Sequence, residues 1–247
     1  MKMVRVLLVA GLLPTALHGQ PPSQVASDPK AVRFRVRIEN ISAKSLKLST
    51  GDSIDIPVSP VVWVVHSGPN PLFTPGEVDR GLGLEALAES GRPSVLVSSL
   101  TTAKLPSVHR LGLENRPVGS TSPGLLDAGQ RYEFTFEANP GHRLSLAMMN
   151  GESNDGLIAT GPTGIELFRA GRPISGDVTA QLSHWDAGTE INEEPGLVRN
   201  QGMRQGAPHA GDPERKPVRP IHESEYGKLW PPVSRVLRVT VTPETSR

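Results

Sequence analysis

The sequence predicts an all-β fold, an antiparallel β-sandwich with one short helix and long loops, and three observations carry that expectation. Residues 32–39 alternate without a break, with Val32, Phe34, Val36 and Ile38 on one face and Arg33, Arg35, Arg37 and Glu39 on the other. Period two over that length is a half-buried strand. Residues 131–137 and 237–242 repeat the pattern, with Tyr132, Phe134 and Phe136, then Leu237, Val239 and Val241, on the apolar side. Gly and Pro supply 25 and 24 of the 247 residues, a proportion that suits short strands joined by many turns.

From the start of the chain, residues 1–20 read as a secretory signal segment. Lys2 and Arg5 are followed by an apolar run over residues 6–17 and then by His18, Gly19 and Gln20, an order of basic, apolar and small that marks export. Residues 21–31 are a Pro- and Ser-rich lead-in. The next strand after 32–39 is expected at 61–66 (Val-Val-Trp-Val-Val-His), because Pro57 and Pro60 exclude an earlier start. Pro69, Pro71, Pro75 and Gly76 mark a long turn. Residues 83–90 form the one expected helix, with Leu84 and Leu87 on a common face and Gly91 as its stop. Residues 131–137 and 143–149 are the arms of a hairpin turned at Pro140-Gly141. Shorter strands are expected at 165–168 and 178–182. Residues 195–220 lose all periodicity and read as a long loop inside a single domain spanning 32–242, with 243–247 as a tail.

Composition narrows the functional classes. A net charge of +1 and an aromatic content of 4% leave no basic, aromatic-studded stripe of the kind that binds nucleic acid. No stretch after residue 20 is long and apolar enough to cross a bilayer. The chain has no cysteine, hence no disulfide framework and no thiol nucleophile. An exported chain without disulfides points to a bacterial product that is periplasmic, on the outer surface or secreted.

The segment richest in chemistry runs from His184 to Glu194. Asp186, Glu190, Glu193 and Glu194 place four carboxylates within nine residues, with no Lys or Arg among them, and Gly188 lets the backbone curl. Acids crowded in this way repel one another, and a hard cation with oxygen ligands relieves the repulsion. Asp186, Thr189, Glu190, Asn192 and backbone carbonyls are the candidate donors. A solvated acidic turn accounts for the same spacing, and the EF-hand pattern is absent. A second turn, Asn150 to Gly156, contains Asp155; its Asn-Asp-Gly is ordinary turn chemistry, unless both turns lie at one end of the sandwich and face one ion. The alternative functions are a purely structural envelope protein, in which the ion only stabilises the fold, and a carboxylate-based hydrolase, with Asp155 and Asp186 as acid and base. No Gly-x-Ser-x-Gly, His-Glu-x-x-His or phosphate-loop motif accompanies the pair. His66, His109, His209 and His222 are expected to be exposed at strand ends or in loops.

Four segments occur together in an order that resembles the spondin domain in a bacterial form: Pro60 to His66, Gly81 to Gly91 with its Leu-Glu-Ala-Leu-Ala-Glu core, Arg143 to Met149 leading to Ser153-Asn-Asp155, and Trp185-Asp-Ala-Gly-Thr-Glu190. The likeness covers about residues 32–242. It implies a C2-like β-sandwich with a calcium ion (Ca2+) held by loops at one end. Asp155 and Asp186 are then its ligands, with Ala187 through its carbonyl, Glu137 as a further carboxylate and Glu190 as the second acid of the motif. Adhesion or recognition, with a protein or polysaccharide partner at a cell surface, is the implied role. The chain departs from the animal pattern at Gly156, where a Trp is expected, and in lacking the animal disulfides and attached modules.

Overall fold

A computed structural model describes residues 31–197 and 199–244. The expected signal segment, all of the lead-in but its last residue, and residues 245–247 of the tail lie outside the described residues. Eight strands of five or more residues form the frame: β1 (Val32–Asn40), β2 (Val61–His66), β3 (Val108–Glu114), β4 (Arg131–Ala138), β5 (Arg143–Met149), β6 (Gly156–Thr160), β7 (Leu182–Asp186) and β8 (Leu237–Pro243). All their pairings are antiparallel. In one sheet the order is Gly176–Asp177, β8, β1, β4; in the other it is Arg219–Pro220, β7, β6, β5, β2, β3. The fold is an all-β sandwich.

The two sheets enclose one core. Phe34, Val36 and Ile38 of β1, Phe134 and Phe136 of β4, and Val239 and Val241 of β8 pack against Val61, Val65, Leu144, Leu146 and Met148 of the larger sheet. Trp63 stacks flat on Phe134, with ring centroids 5.3 Å apart. The outer face of the smaller sheet meets water, so its strands show clean alternation. The larger sheet is covered on both faces. On its outer side Val62, Val64, Ala147, Leu157 and Trp185 pack against two helices, α1 (Leu84–Ser90) and α2 (Pro93–Ala103). This second layer explains why β2 is apolar from Val61 to Val65 and why β5 and β6 are almost wholly buried.

Helix α2 goes beyond the single helix expected from sequence. Its Val, Ser and Thr content gives weak helix propensity, but Pro93 starts it and Leu96 and Leu100, one turn apart, are both buried. Residues 178–182 also differ from expectation: Thr179–Gln181 is a 3-10 turn, and the strand begins at Leu182. As a result Trp185 and Asp186 close a buried strand rather than open a loop.

The long loop is not a solvated excursion. Its second half returns to pair with the acidic segment: Lys216 and Glu214 donate backbone N–H groups to the carbonyls of Gly188 and Thr189, and Ile191 donates to Asp212. Gly188 has φ +70, and a Cβ there would lie 2.2 Å from the Lys216 carbonyl oxygen. Glycine alone satisfies both the left-handed backbone and this contact.

Candidate metal centre

β6 and β7 are neighbours, and their register sets Asp186 opposite Gly156. Asp155 therefore lies at the start of one strand beside the end of the other, and the Ala187 N–H donates to the Asp155 carbonyl at 3.2 Å. Both aspartates and Ala187 have no exposed surface. The two turns do meet at one end of the sandwich, as the sequence suggested.

The donors around the two carboxyl groups are unevenly shared. Asp155 Oδ2 accepts the N–H groups of Thr189 (2.7 Å) and Glu190 (3.1 Å) and the Thr189 hydroxyl (3.3 Å). Its Oδ1 is buried with no hydrogen-bond partner. Asp186 Oδ1 accepts the Gly188 N–H at 2.7 Å, while Oδ2 accepts from Asn192 Nδ2 (2.7 Å) and Arg219 Nη2 (2.8 Å). Thr189 and Asn192, expected as oxygen ligands, thus use their N–H and O–H groups to hold the aspartates. Arg219 also binds Glu214 at 2.7 Å. Arg219 thus bridges Asp186 and Glu214, and the more exposed Lys216 binds Glu214 as well, at 2.7 Å. Burial first, and the Asp186 charge second, push the Asp155 carboxyl up to about 8, because ionising it would put two buried negative charges side by side.

Glu190 contributes its amide to Asp155, but its carboxylate lies on the other side of Thr189. There Oε1 accepts the Gly211 N–H at 2.9 Å and Oε2 is buried without a partner. Burial, and then the Glu89 charge, raise its carboxyl to about 7. The remaining acids of the loop are held locally. Glu193 accepts from Asn154 and Asn200, and Glu194 accepts the Ser49 N–H.

Glu137 does not join the site. It is exposed on β4, opposite Arg33 in the smaller sheet. The turn after β4 leads to the start of β5, whereas Asp155 follows its end, and seven residues of strand span about 20 Å. The likeness that placed Glu137 near the ion thus disagrees with the geometry, which puts it at the far end of the sandwich. His66, expected to be exposed, is fully buried, and its Nε2 lies 2.8 Å from Ser145 Oγ.

The first pair leaves carboxylate lone pairs unused. A carboxylate offers about four acceptor positions; three donors hold Asp186, so Oδ1 keeps a lone pair, and Asp155 Oδ1 keeps both of its own. Hydrolysis fits less well, since neither carboxyl group has surface with which to meet a substrate. The sequence reading missed Glu89, in the expected helix; it counted Arg219 among the loop's basic residues that could meet an acidic surface, without placing that surface at Asp186. Arg219 was the signal on offer: a basic residue placed between two prolines.

No helix among the described residues is long and apolar enough to cross a membrane. No protein-family model matches the chain, and no curated protein matches it.

Proposed function

We propose that the chain is an exported calcium-binding β-sandwich module of the spondin kind, serving adhesion or recognition at a cell surface or envelope. The carrying observation is Asp155: a fully buried carboxyl group with one unpartnered oxygen, beside a second fully buried aspartate. Asp155 and Asp186 would hold the ion, the Ala187 carbonyl would add a neutral oxygen, and Glu190 is the next acid along the loop. Bound calcium would supply the positive charge that Arg219 alone does not, and would tie the 150–156 turn to the 186–194 segment.

The test is thermal melting of the full chain with calcium and with chelator. Extracellular-type calcium sites bind with Kd on the order of 10⁻⁴ to 10⁻³ M. At free calcium of 100 Kd the gain is about 2.7 kcal/mol, or roughly 5–11 °C for a domain of this size. Asp155→Asn should abolish the shift. Equal melting points for the wild type with calcium and with chelator would reject the calcium site. A calcium shift without calcium-dependent retention on cells or polysaccharide would leave the ion a stabiliser and reject the adhesive role.

A further inference from the structure

Helix α1 carries Glu85 and Glu89 four residues apart, so their side chains share one face. Like charges at that spacing oppose the helix. His209, from the long loop, lies over them. Its Nδ1 is 2.5 Å from Glu89 Oε2 and 3.4 Å from Glu85 Oε1. One ligand atom from each of these three residues lies within 4.8 Å of the other two.

A separate observation points to a ligand here. The carboxylate of Glu190, only 2% exposed as a residue, has an unpartnered Oε2 packed against the loop that carries His209. Glu89 and His209 are near enough for their charges to act on it. Gly211, two residues beyond His209, presses so close that a Cβ would stand 2.6 Å from that same oxygen. Gln205 adds a second orphan: its Nε2 donates to the Glu89 carbonyl at 2.7 Å while its Oε1 is buried without a partner. Access is open, because a groove of about 460 Å³ lined by Asp79, Glu85, Thr189 and Lys216 reaches the cluster at Glu85.

We propose that Glu85, Glu89 and His209 bind a divalent transition-metal ion of the zinc class. A donor set of one imidazole nitrogen and carboxylate oxygens suits zinc or manganese, whereas calcium takes oxygen alone. Donors around a tetrahedral zinc stand roughly 3.3 Å apart, close to the present separation of His209 and Glu85. The ion requires one proton shift. Arg92 Nη2 lies 3.3 Å from His209 Nε2; since arginine only donates, Nε2 accepts there and the imidazole proton is on Nδ1. Metal binding at Nδ1 moves that proton to Nε2, and Arg92 must release the ring.

This site is independent of the calcium position, and a zinc titration of the full, tag-free chain by calorimetry tests it. Wild-type protein is expected to take up one zinc ion. The Glu85 and His209 side chains are 51% and 44% exposed, so Glu85→Gln and His209→Ala leave the core untouched. Each should weaken zinc more than about tenfold, the least that changes around zinc sites bring, while keeping the calcium-induced melting shift. Asp155→Asn should do the reverse. No zinc uptake by the wild type, unchanged uptake in either exposed variant, or zinc lost through Asp155→Asn overturns the proposal. Loss of the calcium shift in His209→Ala does so too, by merging the two sites into one.

Discussion

The two ends of the sandwich each bury a titratable group with one unpartnered atom, and they differ in what its charge does. At one end is His66, with Nδ1 unpaired; at the other is Asp155, with Oδ1 unpaired. Burial, and then Arg143, hold the His66 imidazole down at about 4, so the ring is neutral wherever a cell operates. Its orphan nitrogen costs about 1–3 kcal/mol and calls for no ion. Asp155, raised to about 8, is on the point of ionising at neutral pH, where an unpaired charge costs far more than an unpaired dipole. A base escapes burial by losing its proton to water. An acid must keep its proton or find a cation. Only the aspartate end therefore gains by binding metal.

The largest effect should come from deleting the cation that binds Asp186. Arg219→Met leaves Asp186, with a fully buried side chain, without a cation, while Glu214 keeps only Lys216. Breaking a buried pair from one side costs about 3–5 kcal/mol, so the melting point in chelator should fall by on the order of 10 °C. Calcium should restore part of that loss. A fall of less than about 2 °C would mean that Arg219 does not balance the acids.

A smaller effect, and one that divides the two ends, is the dependence of stability on pH without metal. The folded Asp155 carboxyl is raised from its usual 3.8 to about 8. Its contribution is thus complete below pH 4 and is lost as pH rises through 8. Glu190, raised to about 7, acts in the same direction. His66 and His184 run the other way: both are lowered to about 4 from 6.5, so their contribution is complete above pH 6.5 and is lost as pH falls through 4. Stability in chelator should therefore decline by about 2 kcal/mol between pH 6.5 and 8, where the histidine contributions are already complete. Asp155→Asn should flatten that decline while leaving the acid side unchanged. An undiminished decline in the variant would move its origin away from the aspartate end.

How far the sequence disclosed this depends on what each segment touches. β1, β4 and β8 were legible because water on one face imposes alternation. β2 was legible as an apolar run, but α2, which covers it, was obscured by β-branched and hydroxylated residues of low helix propensity. Asp155 and Asp186 could be paired in advance, since each lies in a turn beside a recognisable strand. Glu89 and His209 could not. They are 120 positions apart, and the loop that brings the histidine back carries no periodicity from which a path could be drawn. The place of Arg219 escaped for the same reason: its role depends on the return of residues 212–219 to the acidic segment, a pairing made through backbone groups that side-chain patterns do not encode.

The smallest expected effect separates likeness from geometry most directly. Glu137 is a calcium ligand if the spondin pattern is carried over residue by residue, and a solvated carboxylate across from Arg33 if the register of β1 and β4 governs. Glu137→Gln should then change stability by less than about 0.5 kcal/mol, as exposed substitutions generally do, and leave the calcium-induced melting shift intact. At the aspartate end the same loss of one negative charge, in Asp155→Asn, should remove that shift. If Glu137→Gln also weakened calcium, the turn after β4 would have to reach the opposite end of β5, some seven strand residues away. The two-ended arrangement would then be wrong, and not merely one ligand of it. An unaltered shift would instead confine the calcium-sensitive carboxylates to the loops gathered around Asp155 and Asp186.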